Sequence, residues 1–327
     1  MIVTLTANPS LDRTVELPAA LARGEVQRAV AVHQHSGGKG VNVSRALVAS
    51  GLDTVAVLPG GESDPVLSGL REDKVPFAAL PIAEPLRSNV TLTEPDGVTT
   101  KINEPGPELS AEQQEALIGL LLERSQGASW VVLAGSLPPG VPADFYATVA
   151  ARLRSTDDGA APFIAIDSSG TPLAAAISGR GDGRPDLLKP NAEELAELAA
   201  AAGFTDHHTA EELEADPGLA ARAAAAVVGS GVGTVLATLG SKGAVLVTAD
   251  GAWLATHPPI RAVSTVGAGD SSLAGYLLAA TQGGTPQDCL RQAVAHGAAA
   301  ASLPGSTVPA VHQTTPDAVT ITALPKD

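Results

Sequence analysis

The chain has 327 residues, 44% of them hydrophobic and 17% charged, enough apolar material for a large packed core and too much for a disordered polypeptide. A formal charge of −15 opposes nonspecific contact with nucleic acid or anionic membranes, and an aromatic content of 2% leaves few rings to stack on bases. Cys289 is the single cysteine, which excludes an intrachain disulfide and a cysteine-rich metal site and fits a reducing compartment.

Residues 2–7 form a β-branched, apolar run that reads as a first strand, without the basic start and long apolar stretch of a secretory signal. Apolar runs such as 117–122 are too short to span a bilayer, so the expected location is the cytoplasm. Glycines 37, 38 and 40 lead into a helix over 41–50; 54–58 reads as a strand and 64–74 as a helix. Ser110 opens the next helix, and Gln113 stands at the reciprocal position of a capping box. Strands at 130–134 and 163–167 flank a helix at 142–153. A short strand at 187–188 ends at Lys189-Pro190, helices run to about 228, and strands follow at 234–238 and 244–248. Helix signals return at Asp270 and at Thr285-Pro286, where threonine caps and proline suits the first turn.

Strand and helix alternating over this length predict an α/β fold, a mostly parallel central sheet with helices on both faces and ligands at the carboxyl ends of its strands. Segments 13–35 and 88–103 interrupt the alternation with short β patterns and read as strands projecting from the main sheet as a small β lid. No linker or internal repeat divides the chain, so the expectation is one domain over 1–327 carrying this lid. The tail beyond Gly305, rich in Thr and Pro, is expected to be irregular.

Short motifs gather at the predicted strand ends. In GGKGVNVS, Gly37 to Ser44, glycines let the backbone approach a ligand and a helix N-terminus favours anions, although the Walker A spacing is absent. Lys39 offers a phosphate a point charge and Asn42 offers a hydroxyl a partner; a glycine turn with a solvated lysine has the same letters. NPSLD puts Asp12 after the first strand, where it suits sugar hydroxyls or ordinary turn chemistry. AGSLPPG places Ser136 in a proline-stiffened turn after another strand. In KPNAEEL, Asn191 and Glu194 have the spacing of a capping box, and Glu194 also suits a hydrated Mg²⁺. TLGSKGAV is a hairpin pattern whose backbone groups also suit a nucleotide. GSGVG at 229–233 follows a helix and precedes a strand, the reverse of a dinucleotide fingerprint, and reads as a helix stop. The histidines lack metal-ligand spacing: His33 and His35 alternate along a strand, and His207 adjoins His208 in a polar loop. In STVGAGDSS, Gly267, Ala268 and Gly269 open a helix, and Asp270 is a cap, a proton acceptor, or both.

Taken in order, NPSLD, GGKGVNVSRAL, NEPGP, AGSLPPG, KPNAEEL, TLGSKGA and STVGAGDSS resemble the PfkB (ribokinase-like) carbohydrate kinases, from about Thr4 to Ser302. Within that family they look most like the branch of 1-phosphofructokinases and tagatose-6-phosphate kinases. The resemblance implies a ribokinase-like fold and an ATP- and Mg²⁺-dependent transfer to a sugar phosphate. Fructose 1-phosphate comes first, then tagatose 6-phosphate and fructose 6-phosphate. It implies Asp270 as the catalytic base, with the amides of Gly267, Ala268 and Gly269 as an anion hole. Lys39, Arg87 and Lys101 are implied around the substrate phosphate, and Asp12, Gly38, Asn42, Ser88, Asn89, Asn103 and Ser136 around the sugar. ATP falls to Asn191, Thr238, Gly240, Gly243, Ser264 and Val266, and the metal to Glu194 through water.

Glu25-Val26-Gln27 lacks a lysine that some 6-phosphofructokinase relatives carry near the substrate phosphate, which lowers fructose 6-phosphate in the order. The lid is implied to close over the substrate and to pair in a homodimer; neither a nucleic-acid nor a membrane partner is expected. A catalytically silent sugar-phosphate sensor on the same fold is the alternative from another class, and the intact GAGD argues against it.

Overall fold

The structure is a computed structural model that describes residues 1–155, 161–178, 183–206 and 208–325; His207 lies outside the described residues. In chain order the elements are β1 (Ile2–Leu5), β2 (Ser10–Glu16), β3 (Ala31–Gly37), α1 (Lys39–Ala49), β4 (Thr54–Pro59), α2 (Pro65–Glu72) and β5 (Phe77–Leu80). Then come β6 (Arg87–Thr93), β7 (Thr99–Asn103), α3 (Ala111–Arg124), β8 (Trp130–Ala134), α4 (Phe145–Arg154) and β9 (Phe163–Asp167). The second half adds α5 (Gly170–Ser178), β10 (Leu187–Leu188), α6 (Ala192–Ala201), α7 (Ala210–Ala215), α8 (Pro217–Gly229) and β11 (Thr234–Thr238). It closes with β12 (Ala244–Thr248), β13 (Ala252–Thr256), α9 (Ala268–Thr281), α10 (Pro286–Ala301) and β14 (Thr320–Leu324).

Among the described residues, the main sheet runs β14-β13-β12-β11-β10-β9-β8-β1-β4-β5. From β5 to β11 neighbouring strands are parallel, and β11 to β14 are joined antiparallel. The parallel strands are apolar on both sides because helices cover both faces. Val131 and Leu133 of β8 pack with α3 to α8, while Trp130, Val132 and Ala134 of the same strand pack with α1, α9 and α10. Ser110 and Gln113 form the expected capping box at the head of α3, and α8 ends at Gly229 as the GSGVG run requires.

A separate small sheet, β3-β2-β6-β7, is built from the two segments that broke the alternation. Its central pair, β2 and β6, is parallel, with Asp12 opposite Asn89, and the outer pairs are antiparallel. The expectation of an irregular tail beyond Gly305 is corrected by β14. Thr320–Leu324 pairs with β13, Ile321 opposite Ala255, and the Arg291 guanidinium donates to the Val319 carbonyl at 2.6 Å. Threonines and prolines dominate that tail and mask a five-residue alternation that gains stability only from the neighbouring strand.

Candidate active site

The carboxyl ends of β8, β9 and β10 lie side by side and bring together groups far apart in sequence. β9 is apolar until Asp167, which is fully buried. Lys39 Nζ donates to Asp167 Oδ1 at 2.6 Å, and Lys189 Nζ lies 3.1 Å from Asp167 Oδ2. Two lysines answer a charge that would otherwise be costly to bury. Burial alone would raise the Asp167 pKa, but Lys189 and then Lys39 outweigh it and hold the carboxyl below its usual value. Burial also opposes the Lys39 ammonium, yet Asp167, Glu194 and Asp270 reverse the sign and raise its pKa, so Lys39 stays charged.

Glycine puts Lys39 there. Gly38 caps α1 at φ 110°, and a Cβ on it would press to 2.7 Å from Thr6 Cγ2. Lys39 therefore opens α1, and Asn42 follows within the first turn, where α1 packs on α9. Asn42 Nδ2 donates to Asp270 Oδ2 at 2.8 Å. Asp270 sits buried in the first turn of α9, after the left-handed Gly267 at φ 76°. Burial first, and Asp167 second, push its pKa up to about 6; Lys39, the Asn42 hydrogen bond and Lys189 limit the rise. Gly269 lies against Lys189, where a Cβ would stand 3.2 Å from Nζ. A carboxylate of this pKa at a helix N-terminus, where the Ala268 N–H donates to the Thr265 carbonyl at 3.3 Å, combines a proton acceptor with an anion-attracting surface. Asp270, Gly267, Ala268, Gly269, Lys39 and Asn42 thus come together, joined by Asp167, which no motif marks, and by Lys189, which heads KPNAEEL without an expected role of its own. The available signal is a lone charged residue closing each of two apolar strands.

The KPNAEEL alternatives both have structure behind them. Asn191 caps α6 by accepting the Glu194 N–H at 2.8 Å, and Glu194 Oε2 accepts the Asn191 N–H at 2.9 Å. Glu194 Oε1 lies 3.6 Å from Lys39 Nζ, so the capping carboxylate also faces the charged cluster. Asn191 bridges to Thr238 at the end of β11. Gly240 and Gly243 bracket the turn of the β11–β12 hairpin, and a Cβ at Gly243 would collide with the Ala255 carbonyl. Val266 N–H donates to Ser264 Oγ at 3.2 Å, and the Val263 and Ser264 amides donate to the Ala301 carbonyl at the end of α10.

On the lid, Asp12, Asn89 and Asn103 share one row across β2, β6 and β7. Asp12 Oδ1 accepts from Ser10 Oγ at 2.7 Å and from Asn89 Nδ2 at 3.1 Å. Arg87 Nη2 donates to the Asn8 carbonyl at 3.0 Å and to Ser136 Oγ at 3.3 Å, and Nη1 to the Glu104 carbonyl at 3.3 Å. It staples the base of the lid to the loops after β1 and β8. Burial lowers the Arg87 pKa, against the pull of Asp12. Ser88 is in register with Leu11, on the face opposite Asp12, and its N–H donates to Glu104 Oε2 at 2.8 Å. Lys101 is exposed opposite Thr91, and among the described residues it has no carboxylate partner of the kind that ties Lys39 to Asp167. Lys39, Arg87 and Lys101 stand at successive distances from the cluster: in it, at the lid base, and on an outer lid strand.

Among the described residues, no group of three or more His, Cys, Asp and Glu side chains is placed to hold a metal ion directly, and no helix is long and apolar enough to cross a membrane.

A model of the pfkB family carbohydrate kinases matches residues 6–313. The chain is 36% identical over 286 residues to the 1-phosphofructokinase of Rhodobacter capsulatus, covering 86% of this chain and 84% of the relative. It is 34% identical over 308 residues to the ATP-dependent 6-phosphofructokinase isozyme 2 of Mycobacterium tuberculosis, covering 93% and 85%. The crystal structure of phosphofructokinase-2 from Escherichia coli in complex with fructose-6-phosphate superposes with a TM-score of 0.83 at 26% identity, over 95% of this chain and 96% of that one. The chain belongs to the pfkB family of carbohydrate kinases. It is a phosphotransferase with an alcohol acceptor on a ribokinase-like fold.

Proposed function

We propose that this ATP-dependent sugar-phosphate kinase converts fructose 1-phosphate to fructose 1,6-bisphosphate, with Asp270 as its general base. The observation that carries the reading is the Asp270 carboxylate: buried, with a pKa of about 6, bonded to Asn42 and set at the N-terminus of α9. A base poised near neutral pH suits removal of a hydroxyl proton. The sugar hydroxyl oxygen bonds to the γ-phosphorus as the bond to the ADP oxygen breaks, and the hydroxyl proton passes to Asp270. The amides of Gly267, Ala268 and Gly269 face the charge that develops, with Lys39 and Lys189 adding positive charge.

Asn191, Thr238, Gly240, Gly243, Ser264 and Val266 form the ATP side of the site; the Asn191–Thr238 bridge and the glycine-bracketed turn support this grouping. Mg²⁺ is the proposed metal. One Glu194 oxygen is taken by the cap and the other lies near Lys39, which fits a bond to metal-bound water better than direct ligation. A bound Mg²⁺ neutralises charge on the ATP phosphates. Asp12, Gly38, Asn42, Asn89 and Asn103 take the sugar. Arg87 and Ser136 take its phosphate, with Ser88 holding the loop through Glu104 and Lys101 arriving on lid closure.

The two relatives described above bear the names of a 1-phosphofructokinase and a 6-phosphofructokinase at similar identity. The missing lysine at Glu25-Val26-Gln27 favours fructose 1-phosphate. We place the whole chain, 1–327, in one cytoplasmic kinase domain whose lid spans about 13–35 and 88–103. The lid's outer face carries Val15, Val32, Val90, Leu92 and Ile102, with Val32 48% and Ile102 56% exposed, which supports a homodimer formed lid to lid. Ile102→Asp should give monomers by light scattering, and an unchanged mass would remove the lid from the contact.

The test of function is ADP release with Mg-ATP, comparing kcat/KM for fructose 1-phosphate, fructose 6-phosphate, tagatose 6-phosphate and unphosphorylated fructose. Preference for fructose 1-phosphate is expected. Preference for another sugar phosphate would correct the substrate and keep the mechanism, and binding without turnover would favour a sensor.

A further inference from the structure

The peptide between Gly135 and Ser136 is gripped from inside the molecule. Tyr146 Oη, on α4, and Ser168 Oγ, just after β9, each donate to the Gly135 carbonyl at 2.9 Å, and both residues are fully buried. Burial raises the Tyr146 pKa, so the phenol remains a donor. The Gly135 N–H donates to the Asp167 carbonyl at 2.9 Å, fixing the turn to the strand that carries the cluster. Gly135 itself has φ 97°, and a Cβ built on it would meet nothing closer than the Lys39 backbone nitrogen at 3.9 Å. The other side of this turn is therefore open and borders the N-terminus of α1.

No described peptide bond is cis, and in a trans peptide the C=O and N–H point in opposite directions. A carbonyl clamped into the core therefore aims the Ser136 N–H outward. Among the described residues that N–H has no protein acceptor. The Ser136 hydroxyl oxygen accepts from Arg87 Nη2 at 3.3 Å and Asn8 Nδ2 at 3.4 Å, which turns its own proton away from both. We infer that Tyr146 and Ser168 are positioning residues that hold the Ser136 amide and hydroxyl as a prearranged pair of donors for the anionic end of the substrate. This rests on the reading of the opening as a sugar-phosphate site. Donors already oriented spare the ordering cost of binding, so the two hydroxyls act on affinity without touching the substrate.

Two donors on one carbonyl back each other up. Tyr146→Phe and Ser168→Ala should each raise KM for the sugar phosphate about threefold, and the double variant should raise it about thirtyfold, more than the product. KM for ATP and kcat should stay within about twofold, the pattern of lost ground-state and transition-state binding in equal measure. Thermal midpoints are read alongside, and each single variant is informative even if the double does not fold. An active wild type whose variants keep KM for the sugar phosphate overturns the inference alone. A joint fall of kcat and thermal midpoint at constant KM also overturns it, because that marks a merely structural role. A wild type inert toward every ketose phosphate overturns the reading of the site, and this inference with it.

Discussion

The two ends of the cleft are built on opposite plans. At the carboxyl end of the main sheet, Lys39, Asp167, Lys189 and Glu194 answer one another as a network of charges, mostly buried. On the lid, Asp12, Asn89, Asn103 and Lys101 stand on half-buried or exposed strands, and Asp12 is met by a hydroxyl and an amide. The first plan is unforgiving, because removing one partner strands a charge out of water. The second is permissive, since surface substitutions disturb little beyond their own contacts. On the proposed reading, chemistry common to many sugars sits where change is expensive, and discrimination between sugars that differ by one hydroxyl sits where change is cheap.

The contrast can be broken in graded ways. The largest effect is expected from Asp270→Asn, which should lower kcat by about 10²–10⁴ while the sugar-phosphate Kd, measured by calorimetry, hardly moves. Near-normal kcat would take the base role from Asp270. Asp167→Asn should next cost about 3–5 kcal/mol of unfolding free energy in urea, since Lys189, 4% exposed, loses its counter-charge. The lid counterpart, Asp12→Asn, should change stability by less than about 1 kcal/mol and raise KM about tenfold. Equal losses of stability in the two variants would erase the distinction between the two ends.

A subtler effect follows from the Asp270 pKa of about 6, against an ordinary aspartate value of 3.8. The folded chain holds this proton more tightly than the unfolded chain does. Folding is therefore penalised once the unfolded carboxyl ionises, increasingly so from about pH 4 to pH 6, and constantly above that. Asp270→Asn should remove the penalty, stabilising the protein by about 1–3 kcal/mol at pH 8 and by nothing at pH 4. In the wild type, kcat should fall tenfold per pH unit below about 6 as the base becomes protonated. The smallest effect is expected from Lys101→Ala, a change in KM of about threefold or less, as befits an exposed charge.

Much of this was legible in the chain. Glycines before an apolar helix marked α1 and α9, and with them Lys39, Asn42 and Asp270, because positive φ leaves little alternative to glycine there. The break in strand–helix alternation marked the lid. The roles of Asp167 and Lys189 were not legible, although Lys189 heads KPNAEEL: each is one charged residue at the end of an apolar strand, and their pairing appears only when β9 and β10 are adjacent. Tyr146 was hidden for a similar reason, reading as one more large residue on a buried helix face until its hydroxyl is seen against Gly135.

The last strand has a consequence for how the protein keeps to itself. β14 occupies the outer side of β13, whose backbone would otherwise offer a row of open donors and acceptors to any passing strand. Cutting the chain before Thr320 would leave the catalytic end of the sheet in place and uncover that row. The foreseeable outcome is a kinase that still works when dilute and precipitates as it is concentrated, with neighbouring molecules filling the place the strand had held.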